Sequence, residues 1–233
     1  MQLIKTYSPP AVGKPLACLL LITLFGCVES VKPVEVKSKP IIKEQSKNKE
    51  KAKVILCFGN SLTEGYGLKP EESYPSLLQN RIDSLGLNYR VVNAGISGET
   101  TAGGRGRLGW ILKNKVDIFI LELGANDGLR GIPIEETKRN LQSIIDTVQL
   151  KIPDAKIILA GMQIPPNLGE NYTREFKAIF PALAEVNSVH LIPFLLQGVA
   201  GETELNQEDG IHPTAEGTLQ VLENIWKVME PFL

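Results

Sequence analysis

Asp209-Gly210-Ile211-His212-Pro213 holds the pair of residues in this chain best suited to moving a proton. The sequence has only 2 histidines, which disfavours a multi-histidine metal site and leaves His212 as the candidate general base. Asp209, three residues earlier, can reach the imidazole Nδ1–H across a tight turn and fix the tautomer. A plain surface turn would use the same residues, and the string alone leaves both readings open. His190 falls inside a strand-like run and reads as structural. A base needs a nucleophile, and Ser61 in Gly59-Asn60-Ser61-Leu62-Thr63-Glu64-Gly65 follows an apolar run and opens a helix. Unpaired N–H groups and the positive helix end favour a nucleophile there. The string lacks the Gly-Lys-Ser/Thr of a phosphate loop. It also lacks the glycine of a nucleophile elbow, since Thr63 stands two residues after Ser61. An N-cap or turn is the competing reading.

Two further strings could stabilise a developing oxyanion. Asn93-Ala94-Gly95-Ile96-Ser97-Gly98-Glu99-Thr100-Thr101 offers glycines that let backbone approach a ligand, and the Gly98 N–H is a candidate donor. A flexible strand-to-helix turn is the alternative. Glu122-Leu123-Gly124-Ala125-Asn126-Asp127-Gly128 presents Asn126, a neutral amide donor with no competing proton equilibrium, though Asn-Asp-Gly is equally turn chemistry.

Each string follows a candidate strand. Val54 to Phe58, Tyr89 to Asn93, Val116 to Leu123, Lys156 to Met162 and Val189 to Pro193 are mostly apolar throughout, which means burial on both faces. Tyr74 to Leu85, Ile134 to Leu150 and Tyr172 to Val186 space their apolar residues at helical intervals. Thr100 to Leu112 is Gly-rich and then helical, and a last helix is expected from Pro213 to Val228. Strand and helix alternating five times give a parallel sheet with helices on both faces, and ligands then sit at the carboxyl ends of the strands.

The chain's 233 residues are 43% hydrophobic and 22% charged, a globular composition with enough apolar surface for a core without disulfides. From Val54 onward it carries 15 Lys+Arg against 22 Asp+Glu, and aromatics make up 6% of the whole. An acidic, aromatic-poor body excludes nucleic-acid binding. The N-terminus differs. Lys5 and Lys14 precede an apolar run from Leu16 to Phe25, about half a bilayer span, as in an export signal. Leu24-Phe25-Gly26-Cys27 resembles the lipobox of bacterial lipoproteins, which implies cleavage after residue 26 and acylation of Cys27. Residues 27–52, with Pro33, Pro40 and a lysine excess, should form a flexible tether leading to one domain over 53–233. Of the three cysteines, only Cys57 would remain as a thiol. Its place in an apolar strand reads as packing.

Taken in order, Ser61, Gly98, Asn126, Asp209 and His212 give the body from Val54 to Leu233 a resemblance to the SGNH (GDSL) hydrolase superfamily. Leu121-Glu122-Leu123-Gly124, Asn126 to Gly131, Met162-Gln163-Ile164 and Asp209 to Pro213 most resemble its exported thioesterase, lysophospholipase and arylesterase group. The resemblance implies a three-layer flavodoxin-like sandwich with a five-stranded parallel sheet. It also implies catalysis by Ser61, His212 and Asp209, an oxyanion hole of Ser61 N–H, Gly98 N–H and the Asn126 side chain, and no metal or cofactor. Leu129, Ile132, Pro165 and Ile211 are expected as apolar walls for an acyl or aryl group. The expected protein is a monomer anchored by lipid on the periplasmic or cell-surface side of a Gram-negative bacterium, acting on a small ester or lipid. A carbohydrate O-acetyl esterase and a non-catalytic tethered binding protein are the alternatives. One residue departs from the family. Asn60 stands where the first block usually has Asp, and since Asp209 serves the imidazole, the charge at position 60 is expected to be dispensable.

Overall fold

The computed structural model describes residues 51–233. The signal segment 1–26, Cys27 and all but the last two residues of the tether lie outside the described residues. Five strands, β1 (Lys53–Gly59), β2 (Tyr89–Gly95), β3 (Ile118–Glu122), β4 (Lys156–Ala160) and β5 (His190–Ile192), form one all-parallel sheet in the order β2-β1-β3-β4-β5. The central strands are the near-continuous apolar runs. Ile55, Cys57 and Phe58 of β1 and Phe119, Ile120 and Leu121 of β3 are fully buried, as a strand covered on both faces requires.

The helices are α1 (Ser61–Glu64), α2 (Tyr74–Ser84), α3 (Thr101–Ile111), α4 (Ala125–Leu129), α5 (Ile134–Lys151), α6 (Glu170–Asn187) and α7 (Ala215–Met229). α3, α5 and α6 pack side by side on one face, and α2 pairs with α7. Handedness explains the division. The connection from β1 to β2 runs opposite to those from β2 to β3 and onward, so right-handed crossovers place their helices on opposite faces. α5 shows how sequence builds a layer. Leu141, Ile144, Ile145 and Val148 bury one stripe, Glu135 and Glu136 stand in its first turn, and Lys151 stands in its last, each complementing the macrodipole.

Most strand and helix ends lie one or two residues from expectation, and two differences bear on the site. Asn126-Asp127-Gly128 is not an open turn but lies in the short helix α4. The final helix begins at Ala215 rather than Pro213, because Thr214 is its N-cap and accepts from the Gly217 N–H, while Pro213 forms a bridge with Asn206.

Candidate active site

The strand order reverses around β1, so the crevice beyond the carboxyl ends of β1 and β3 is where an open α/β sheet accepts a ligand. Ser61 follows β1 directly at the first position of α1. Its N–H is among the donors that no helical carbonyl can take. Asn60 is the N-cap, its side-chain oxygen accepting from the Leu62 N–H at 3.0 Å. The loop 206–214 brings in His212. His212 Nε2 lies 2.8 Å from Ser61 Oγ, and His212 Nδ1 lies 2.6 Å from Asp209 Oδ2. Asp209 Oδ1 accepts from the backbone N–H groups of Ile211 (2.9 Å) and His212 (3.0 Å). Partial burial pushes the Asp209 carboxyl up, but the His212 N–H, its ring and the Ile211 N–H outweigh it and hold the carboxyl at about 2. Asp209 is therefore an ionised acceptor, which places the proton on Nδ1 and leaves Nε2 to accept from the Ser61 hydroxyl.

Gly98 and Asn126 stand across the same crevice. Gly98 adopts φ +75°, a left-handed conformation that favours glycine, within a turn closed by Glu99 N–H to the Ile96 carbonyl. One Asn126 Nδ2 proton goes to the Glu99 carbonyl at 3.1 Å, which orients the amide and leaves its second proton for a ligand. Asp127 accepts from the Thr101 N–H at 2.8 Å and from the Thr101 hydroxyl, tying α4 to the start of α3.

Ser61, Gly98, Asn126 and His212 line one cavity of about 680 Å³. Leu129, Pro165 and Ile211 line it too. Ile132 does not: its N–H is bonded to the Asp127 carbonyl and its own carbonyl accepts from the Tyr172 hydroxyl at 2.6 Å, which ties it towards α6. Further apolar wall comes from Leu62, Met162, Ile164, Phe194 and Leu196. Among the described residues, no group of three or more His, Cys, Asp or Glu is gathered in a way that could hold a metal ion.

Several supporting residues carry no legible motif. The Tyr66 ring lies 4.7 Å from the His212 ring, centroid to centroid, and borders the cavity. The loop bearing Gly98 is held from three helices. Glu64 accepts from the Ser97 N–H and hydroxyl, Arg107 forms a two-bond pair with Glu99 while donating to the Ala94 carbonyl, and Arg130 donates to the Gly98 carbonyl at 2.9 Å. Glu64 with Ser97 and Arg130 with Gly98 join residues more than thirty positions apart, and only the Arg107–Glu99 pair, eight apart, lies close in sequence. The two remaining candidates are structural. His190 packs on Phe232, with ring centroids 4.3 Å apart. Cys57 is fully buried, and desolvation pushes its thiol up to about 12.

A serine, an imidazole and a carboxylate in hydrogen-bonded series at the switch point of a parallel α/β sheet define a nucleophilic hydrolase site. The chain belongs to the GDSL-like Lipase/Acylhydrolase family, whose pattern its residues 57–218 match. It is 39% identical to "Esterase TesA" of Pseudomonas aeruginosa over 183 residues, covering 78% of this chain and 90% of that protein. It is 35% identical over 183 residues to "Thioesterase 1/protease 1/lysophospholipase L1" of Escherichia coli (strain K12), covering 78% of this chain and 86% of that one. The crystal structure of TesA superposes with a TM-score of 0.74 at 39% identity, covering 78% of this chain and 100% of that chain.

Proposed function

We propose that Ser61 is the nucleophile of this serine esterase, with His212 as its base and then acid and Asp209 as the orienting carboxylate. The observation that carries this reading is the unbroken series Ser61 Oγ, His212 Nε2, His212 Nδ1, Asp209 Oδ2, with steps of 2.8 and 2.6 Å at the wall of an apolar cavity. His212 Nε2 takes the hydroxyl proton as Oγ attacks the carbonyl carbon of the ester. The tetrahedral oxyanion is received by the Ser61 N–H, the Gly98 N–H and the second Asn126 amide proton. The carbon–oxygen bond to the alcohol then breaks and His212 returns the proton to that oxygen. Water repeats the sequence on acyl-Ser61 and releases the acid.

The apolar lining suits aryl and acyl esters, including lysophospholipids, and disfavours an acetylated sugar. Acyl thioesters fit the same chemistry, but the excess of acids in the body opposes a polyanionic carrier such as CoA. The reading extends to an exported enzyme tethered through acylated Cys27. The apolar run that ends just before that cysteine supports this.

A fluorophosphonate probe tests the catalytic reading. Ser61 should label one-to-one, and His212→Ala should abolish labelling in folded protein. A folded wild-type protein that resists the probe and turns over no p-nitrophenyl ester of any chain length would refute it.

A further inference from the structure

Bonded to residues on either side of Ser61 is a carboxylate that the reaction above does not use. Glu122, the last residue of β3, is 0% exposed and makes no salt bridge to any described residue. Its oxygens are met by donors alone. The Asn60 amide Nδ2 donates to Oε1 at 2.7 Å, while the Asn60 N–H at 3.0 Å and the Thr63 hydroxyl at 2.8 Å donate to Oε2. Behind Thr63 stands the Tyr74 hydroxyl at 3.0 Å, and Cys57 adjoins Tyr74, so the ionisable groups facing this pocket come from β1 and α2 and none is cationic at neutral pH. Gly59 completes the fit, since a Cβ there would collide with both the Glu122 carboxylate and the Thr63 hydroxyl. Three of the four residues from Asn60 to Thr63 thus depend on this pocket or its cap: Asn60 and Thr63 through Glu122, and Leu62 through the Asn60 oxygen.

We propose that Glu122 is a positioning residue for the Ser61 nucleophile, acting through a donor–acceptor pairing with Asn60 that the two side chains can also make in reverse. The inference rests on Ser61 being the nucleophile. Asn60 cannot turn its amide over, because its oxygen caps the Leu62 N–H. Glu122→Gln must therefore set an NH2 group either against Asn60 Nδ2 or against the Asn60 N–H, and each choice faces donor to donor in a dry pocket. Exchanging both residues removes the conflict. The introduced carboxylate at position 60 still caps Leu62 with one oxygen and accepts the new amide with the other, while the amide oxygen at position 122 takes the backbone N–H and Thr63. Asn60→Asp alone brings two carboxyls to hydrogen-bond distance, where they must share a proton. Raising the pH strips that proton, and the repulsion then displaces α1.

The test is a four-way comparison of wild type, Glu122→Gln, Asn60→Asp and the double variant, read as kcat, KM and pH profile with a p-nitrophenyl ester. Glu122→Gln should lose about tenfold or more in kcat, the cost of one buried mismatch, with KM within about threefold. The double variant should recover to within about threefold of wild type. Asn60→Asp should keep neutral-pH turnover but gain an alkaline fall that wild type and the double variant lack. Wild-type kcat in folded Glu122→Gln, a double variant no better than Glu122→Gln, or an unchanged alkaline profile in Asn60→Asp would each overturn the pairing. If Glu122→Gln does not fold, recovery of fold and turnover in the double variant supports it, and failure of both overturns it. Fluorophosphonate labelling of wild type keeps the two inferences apart. Were Ser61 inert, the esterase reading would fail, while melting temperatures of the same four proteins would still decide the pairing by whether the double variant regains what Glu122→Gln loses.

Discussion

Replacing Asp209 by Asn changes one atom and reverses a proton. The amide oxygen can keep the two backbone bonds from Ile211 and His212, so the turn survives. The amide nitrogen then faces Nδ1 as a donor, forcing the imidazole proton to Nε2, where it confronts Ser61 Oγ instead of accepting from it. Two losses combine. Attack needs the other tautomer, which sets Nδ1–H against the amide nitrogen, donor to donor, where a charge-assisted bond of 2.6 Å stood, at a cost of about 2 to 3 kcal/mol. The negative charge that stabilises the forming imidazolium also goes. At roughly 4 Å and an effective dielectric of 20 this would be about 4 kcal/mol, but the Asp209 side chain is 38% exposed and solvent screening reduces it to about half or less. The sum, roughly 4 to 5 kcal/mol, corresponds to a fall in kcat of about a thousandfold, less than the 10⁴ of a fully buried triad carboxylate. Stopped-flow and steady-state hydrolysis of a p-nitrophenyl ester should show it with little change in KM, and the fluorophosphonate labelling rate of Ser61 should drop in parallel. A folded Asp209→Asn protein within tenfold of wild type would mean that the imidazole is oriented by something other than this carboxylate.

Asn126→Ala removes one of the three proposed oxyanion donors and should lower kcat by about a hundredfold or more while leaving KM nearly unchanged; unchanged turnover in a folded variant would remove Asn126 from the hole. Burial raises Glu122 from 4.5 to about 7 against the donors of Thr63 and Asn60. The folded state therefore binds more protons than the unfolded chain between those values, so the contribution of this group is fully present below about 4.5 and is lost as pH rises to about 7. The loss is on the order of 3 kcal/mol. Thermal melts of wild type across that window should show the decline, Glu122→Gln should flatten it, and equal slopes in the two proteins would contradict the buried ionisation. Cys57, with its thiol pushed up to about 12 by desolvation, should stay unalkylated by N-ethylmaleimide at pH 8 in folded protein and react once the chain is unfolded, as read by mass spectrometry of its peptide; modification under native conditions would contradict its burial.

The sheet was legible because its central strands have no solvent face. Val54 to Phe58 and Val116 to Leu123 could only be doubly covered, and the strand ends then located the loops that matter. Ser61, Asp209 and His212 were legible for a different reason, since each sits in a short string where turn geometry and chemistry coincide. Residues that act across the fold were not. Glu122 looks like the polar end of an apolar strand, and nothing nearby says that Asn60 and Thr63, some sixty positions earlier, will supply its donors. Phe194 and Leu196 reach the cavity from the irregular segment after β5, where no period marks them. Ile132 shows the opposite failure. It lies three residues after a cavity residue, but the chain has already turned towards α6 by then.

The two sides of the crevice are built to different tolerances, and the chemistry accounts for the difference. An oxyanion hole works by having its dipoles fixed before charge develops, because reorienting them during the reaction would return the energy they supply. In the proposed mechanism this fits the contacts: the Gly98 loop is held by Glu64, Arg107 and Arg130, and the Asn126 amide by the Glu99 carbonyl, so the proposed donors from the loop after β2, from α1 and from α4 are locked to one another. The proposed base, His212, works differently, because it must pass a proton between the serine, the leaving alcohol and a water. His212 rides on a loop whose Asp209, Gly210 and Ile211 are exposed, with Gly210 at φ +67° and with the Tyr66 ring rather than a buried wall beside the imidazole. What that loop must preserve is the direction of one N–H, and the Asp209 carboxylate does this locally through three bonds to residues 211 and 212. Rigid donors are thus supplied by long-range contacts and the base by a short-range turn, which is also why the base could be read from five consecutive residues and the clamp around Gly98 could not.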